Sequence, residues 1–270
     1  SIALRAYLNN PDLDSVLLGS NNILGIEYLR VLQEIKSDII PLTIKRHGST
    51  YHSKNISNYA SATAIRHALY HNKSLQELEN AIPSSTKRIL DREIEQGKAP
   101  IDENAFNHMI LTKLRTMDEK EIADLYEVTE GLESRIFEKS ITSTNLEELK
   151  QEIKSKRYSL TRINRILLYS LFNLDKKTVD ELDNCGPLYH HVLGFSEKGI
   201  KLLQEINQHS ALPVLNRGKD VKALYDKKDT LAGKMISLEV MATNVYNLFF
   251  PNPNQRIGGS DFTTSPVKLL

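Results

Sequence analysis

With 270 residues, 40% of them hydrophobic and 26% charged, the chain has enough apolar material for one large or two modest packed domains. Its net charge of +1 excludes a global attraction to nucleic acid, so any such contact must come from a local basic patch. A single cysteine, Cys185, excludes an internal disulfide and fits a reducing cytoplasm; no apolar run reaches membrane-spanning length and no secretory pattern is present.

The chain opens without Met, in Ser1-Ile2-Ala3-Leu4-Arg5-Ala6-Tyr7-Leu8, which reads as the face of a helix and hence as an internal start. Asn9-Asn10-Pro11-Asp12 closes that helix, and Gly19-Ser20-Asn21-Asn22 is a polar turn before an amphipathic helix over residues 23–36. Residues 39–44 read as a strand, with Pro41 placing it near an edge or at a strand start. It delivers Lys45-Arg46-His47-Gly48 into a loop, and a helix follows over residues 60–71. Strand and helix in this order argue for the second half of an α/β unit.

Beyond Asn72 the pattern is almost purely helical, with helices expected over residues 74–81, 84–97, 103–116, 118–126, 144–156, 161–174, 178–184 and 196–208. Gly97 suits the left-handed terminator of the second of these, and Thr144-Asn145-Leu146-Glu147 forms a capping box. Residues 192–194 and 236–240 are short apolar segments that read as strands or buried turns. From Phe249 onward Pro, Asn and Gly signal a loose tail. A domain cut near residue 73 divides an α/β part (1–72) from a mainly helical part (73–270).

Three polar devices fall within the first part. Ser61-Ala62-Thr63-Ala64-Ile65-Arg66 starts a helix with hydroxyls and a guanidinium, a set suited to phosphate, although Ser and Thr open many helices simply as caps. Asn21 and Asn22 can read a purine or ribose edge, or build Asx-turns. Arg46 with Lys45 and His47 lies where a strand ends, the usual place for ligands in an α/β sheet, or forms an exposed basic turn. Tyr51 with His47 and His52 has no metal-ligand spacing, and no metal site is read. Further on, Lys154, Lys156, Arg157, Arg162 and Arg165 form a run without acidic residues, with Tyr158 inside it as a candidate for stacking on an unpaired base. The alternative is a solvated charged face. Cys185 reads as structural, and His67, His71 and His108 as surface or core residues.

The order Ser-Asn-Asn-Ile-Leu-Gly-Ile-Glu-Tyr-Leu, Ile-Lys-Arg with Tyr51-His52, and Ser-Ala-Thr-Ala-Ile-Arg resembles the bacterial tRNA(Met) cytidine acetate ligase family, part of the nucleotidyltransferase superfamily that carries a His-x-Gly-His signature. Residues 126–133, 156–168, 192–199 and 242–246 are similar to that family's helical domain, so the resemblance covers nearly the whole chain. The sequence contains no His-x-Gly-His, and His191 stands where the resemblance implies an arginine. The resemblance therefore implies the carboxyl-terminal half of a Rossmann-like nucleotidyltransferase domain followed by a helical, tRNA-binding domain. On this reading the catalytic residues lie upstream, and the chain alone is inactive.

The implied reaction is activation of acetate by ATP, with Mg, to acetyl-adenylate, followed by acetylation of the wobble cytidine of elongator tRNA(Met) in the cytoplasm. Asn21, Arg46, Ser61, Thr63 and Arg66 would contact ATP across an open, incomplete crevice. Lys156, Arg157, Tyr158, Arg162 and Arg165 would contact tRNA. A non-catalytic RNA-binding module and a nucleotidyltransferase with another substrate are the alternatives.

Overall fold

A computed structural model describes residues 20–44, 60–71, 78–129 and 131–269. Helix α1 (Ser20–Glu34) begins inside the expected polar turn, and Arg30 pairs with Glu27 at 2.8 Å and Glu34 at 2.5 Å on its exposed face. Residues 37–44 carry no strand, contrary to the reading of 39–44, and Ile40, Leu42 and Ile44 are nearly nine-tenths exposed. The physical reason is that a strand needs a neighbour for its N–H and C=O groups, and no described residue pairs with this one. Helix α2 (Ala62–Tyr70) follows, close to its expected bounds.

The larger core belongs to a helical bundle. Helix α3 is Ser84–Glu95, α4 Glu103–Thr116, α5 Glu119–Asp124, α6 Leu132–Thr142, α7 Leu146–Ile153 and α8 Leu160–Phe172. Gly97, at φ +69°, terminates α3 as its position predicts. The bundle buries Ile110, Leu114, Ile122, Leu132, Ile136, Leu149, Ile153, Ile163 and Ile166, all essentially inaccessible. Helix α6 is not anticipated by the sequence reading, yet its Leu132, Ile136 and Ser140 recur every four residues on the buried face. Helix α7 is capped by Asn145, whose side chain accepts from the Glu148 N–H at 2.9 Å. Thr144 donates to the Glu148 carboxylate instead of capping.

Arginines tie the bundle together through carbonyl oxygens at helix ends. Arg115 donates to Ser140 and Ser143 at 2.8 and 2.7 Å, closing α6, and Arg135 donates twice to the Glu152 carbonyl near the end of α7. Such charged donors satisfy carbonyls that have no partner inside their own helix.

A second, smaller core follows α9 (Lys176–Cys185). Strand β1 (His190–His191) pairs in parallel with β3 (Val214–Leu215), and β2 (Gly194–Ser196) with β4 (Val267–Leu269). Helix α10 (Glu197–His209) lies between β2 and β3, and α11 (Gly218–Tyr225) and α12 (Leu231–Asn247) bury Val221, Leu224, Ile236 and Val240 against Tyr189 and Leu215. Residues 236–240 are thus mid-helix rather than a strand or turn: Ile236 and Val240, four apart, face one core.

The stretch after Phe249 is not a loose tail. Asn252 docks on the end of α3, donating to the Gly97 carbonyl at 2.9 Å, and Asn244 and Asn247 of α12 bond the backbone at Gly259 and Ile257. Phe262 packs edge-on to Tyr225 at 5.1 Å. Side-chain amides thereby fix a segment that has little regular hydrogen bonding of its own.

Candidate functional site

The start of α2, expected to hold phosphate, is closed by a serine cap. Ser61 is its N-cap in extended conformation, and its hydroxyl accepts from the Ala64 N–H at 3.1 Å while the Ile65 N–H reaches the Ser61 carbonyl. Ser61 is only 6% exposed, Thr63 is half-buried and Arg66 is exposed. Of the three residues expected at an open crevice, Arg66 is exposed and Thr63 partly so, whereas the Ser61 hydroxyl is occupied as a cap. Ala62 and Thr63 have first-turn N–H groups that the helix itself cannot satisfy, and these point out of its amino end. Ala64 and Ala68, each 1% exposed, seat the opposite face. Asn21 falls in the first turn of α1, its side chain outside the described residues, and Arg46 lies outside them altogether.

One turn beyond Arg66, Tyr70 leans on the bundle. Its phenol lies close enough to Glu103, in the first turn of α4, to feel that charge. Burial first, and the Glu103 charge second, raise the phenol above its ordinary pKa. Glu103 and Tyr246 line a cavity of about 790 Å³ bounded by α4, α7, α8 and α12. Its walls are mostly apolar and aromatic, with Glu103, Asn107, Glu147, Lys150 and Thr243 among them; Phe106 and Phe249 meet edge-to-face at 5.4 Å.

The basic run folds differently from its appearance in sequence. Tyr158 lies in the bundle core at 6% exposure, so its ring is not offered to a base; Arg162 covers that ring at 5.4 Å. Arg162 donates to the Glu127 carbonyl at 3.1 and 2.6 Å and to the Thr129 hydroxyl at 2.7 Å. Arg165 forks onto the Glu127 carboxylate at 2.8 Å. Both guanidiniums hold the loop in which Glu127 takes φ +65°. Lys154, Lys156 and Arg157 remain exposed beyond the end of α7. The signal for this engagement was Glu127 itself, distant in sequence but one turn before α6.

His191 also has a partner that spacing does not reveal. Its Nδ1 lies 2.9 Å from Glu239 of α12, whose other oxygen accepts from the Tyr189 hydroxyl at 2.5 Å. Burial, then Glu239, raises the Tyr189 phenol strongly, so it stays protonated and donates. This network staples β1 to α12. Among the described residues no cluster of three His, Cys, Asp or Glu side chains could hold a metal ion, and no helix is long and apolar enough to cross a membrane.

The family profile of the HIGH Nucleotidyl Transferase matches residues 2–261. The chain belongs to this family. It is 49% identical over 270 residues to the tRNA(Met) cytidine acetate ligase of Syntrophomonas wolfei subsp. wolfei, a match covering 99% of this chain and 65% of that protein. It is 39% identical over 269 residues to the protein of the same name from Thermoanaerobacter pseudethanolicus, covering 99% of the chain and 64% of the relative.

The apo crystal structure of Thermotoga maritima TmcAL superposes with a TM-score of 0.83 at 31% identity, over 94% of this chain and 61% of that one. The crystal structure of that protein bound with alpha-thio ATP gives 0.82 at 28% identity, over 99% and 64%. The chain thus spans just under two-thirds of the length of these relatives. The mostly helical architecture, with its short parallel strand pairs, is that of these neighbours.

Proposed function

We propose that this chain is the larger part of an ATP-dependent ligase that activates acetate and acetylates the N4 amine of the wobble cytidine in elongator tRNA(Met). What carries the reading is the 49% identity, running through 99% of the chain, to a relative named for that activity. The nucleotide-bound relative supports ATP as the substrate. On this reading residues 1–72 supply the second half of a Rossmann-like nucleotide domain and residues 73–270 the tRNA-binding part.

In the first step an acetate oxygen attacks the α-phosphorus of ATP, forming acetyl-adenylate as the bond to pyrophosphate breaks. In the second, the cytidine amine attacks the acetyl carbonyl, loses a proton and expels AMP. The protein's part in the first step is to stabilise charge on the α-phosphate and the departing pyrophosphate. Arg66 and the first-turn N–H groups of α2 would do this, with Thr63 beside them and Ser61 capping the turn, and Asn21 and Arg46 would be further ATP contacts. Mg²⁺ would arrive on the nucleotide's phosphates. Excluding water protects the mixed anhydride until RNA arrives. Lys156 and Arg157 would meet tRNA phosphates, on a surface that Tyr158, Arg162 and Arg165 build from beneath.

The test is acetate-dependent exchange of pyrophosphate into ATP by the full-length protein. Arg46→Ala and Arg66→Ala should each lower it at least ~10-fold, the loss of one charge-assisted phosphate contact. Wild-type exchange in both variants would overturn the ATP-site assignment, and acetylcytidine persisting in tRNA from a strain lacking the gene would overturn the acetylation.

A further inference from the structure

The cavity between α4, α7, α8 and α12 is unassigned by the reading above, and it has the chemistry of a base-binding pocket. At about 790 Å³ it is larger than packing defects and falls in the range of ligand sites. Tyr246 at its rim is 50% exposed, and Phe106 and Phe249 form an aromatic floor. Its polar lining residues are Glu103 and Glu147, in the first turns of α4 and α7, with Asn107, Lys150 and Thr243; one Glu147 oxygen already accepts from Gln151 at 2.9 Å. Carboxylates repel a phosphate but accept hydrogen bonds from exocyclic amines of bases.

The surroundings are complementary to the rest of a nucleotide chain. Helix α7 carries Leu146, Glu147 and Lys150 into the cavity and ends at Lys154, beyond which Lys156 and Arg157 stand exposed. At about 1.5 Å rise per residue, Glu147 and Lys150 lie ~10 and ~6 Å along α7 from Lys154, a span of one or two nucleotides. Lys150 lines the cavity beside Glu147, and further cations stand beyond the end of α7, where they suit the phosphates that flank a base. Glu103, which lines the cavity, is also the charge felt by Tyr70, one helical turn from Arg66.

We propose that this cavity receives an unstacked, amine-bearing nucleobase of the RNA substrate, with Tyr246 as its stacking platform; this rests on the ligase reading above. The test uses the full-length protein and short single-stranded RNAs containing 2-aminopurine, whose fluorescence falls on stacking. Wild-type protein should quench the probe, and oligocytidine or oligoadenosine should compete better than oligouridine. Tyr246→Ala should weaken binding ~10-fold and abolish quenching, whereas Tyr246→Phe should restore both, base–aromatic stacking being worth about 1–3 kcal/mol per base. Equal affinity of wild type and Tyr246→Ala, or a preference for oligouridine, would overturn the proposal. Pyrophosphate exchange by the wild-type protein, measured alongside, tests the ligase reading without involving the cavity: exchange with no quenching refutes the base pocket alone, and absence of exchange refutes the ligase reading.

Discussion

Arg162 separates an architectural arginine from an RNA-contacting one, and its loss should be felt first as instability. Its guanidinium makes a forked pair of bonds to the Glu127 carbonyl, a third bond to Thr129 and a stacking contact on Tyr158. Hydrogen bonds from a charged donor contribute about 1.5–3 kcal/mol, and the stacking contact about 0.5–1 kcal/mol. With solvent access discounted, Arg162→Ala should cost ~3 kcal/mol. Arg165 offers a contrast: its ion pair with Glu127 has side-chain exposures of 49% and 24%, so Arg165→Ala should cost under ~1 kcal/mol.

For a protein of this size each kcal/mol moves the melting temperature by about 2–4 °C, so the expected drops are ~6–12 °C and at most ~4 °C. Arg162→Lys keeps the charge but loses the planar fork, and should recover little stability. Thermal unfolding followed by the helical circular dichroism signal reads all three. Equal melting temperatures for Arg162→Ala and Arg165→Ala, or full recovery in Arg162→Lys, would refute the assignment. The comparison also guards RNA-binding assays, because a destabilised Arg162→Ala protein loses affinity without ever having lost a phosphate contact.

Two further outcomes follow from the smaller core and the helix caps. A Cβ at Gly218 would sit 2.1 Å from the Phe262 carbonyl oxygen, so Gly218→Ala should cost ~2 kcal/mol or more by forcing the 260–262 turn off α11; proteolysis within residues 250–265 should then accelerate, and unchanged proteolysis and stability would refute the docking. Asp175 caps α9 by accepting from the Thr178 N–H at 2.6 Å, and hydrogen bonds from Thr178 lower its pKa below the ordinary carboxylate value. A lowered folded-state pKa means stability that is present above pH ~4 and lost as pH falls through the folded value. Asp175→Ala should therefore cost ~1 kcal/mol at pH 7 in urea denaturation, shrinking towards zero near pH 2. A deficit independent of pH would refute the capping role.

Sequence alone determined what depends on neighbours a few residues away. The bounds of α4, the left-handed Gly97 after α3, and the Ser61 start of α2 were all legible, because helix period and cap chemistry act within one or two turns. Order and identity of short motifs are legible too, and the family resemblance rests on those of residues 20–66 together with the helical segments after them.

Tertiary structure decided whatever depends on partners far along the chain. Ile39 to Ile44 has strand composition but no described neighbour, and so no ladder. Ile236 and Val240 became one face of α12 because Tyr189 and Leu215 offered them a core. Asn244 and Asn247 turned a Pro- and Gly-rich segment into a docked one. Tyr158 and Arg162 looked like an RNA surface until the bundle buried one and Glu127 engaged the other. At the start of α2 the sequence supplied the residue types, but only packing showed that Ser61 closes the helix while Arg66 faces outward. Burial and long-range hydrogen bonds are properties of the folded whole, and no local pattern encodes them.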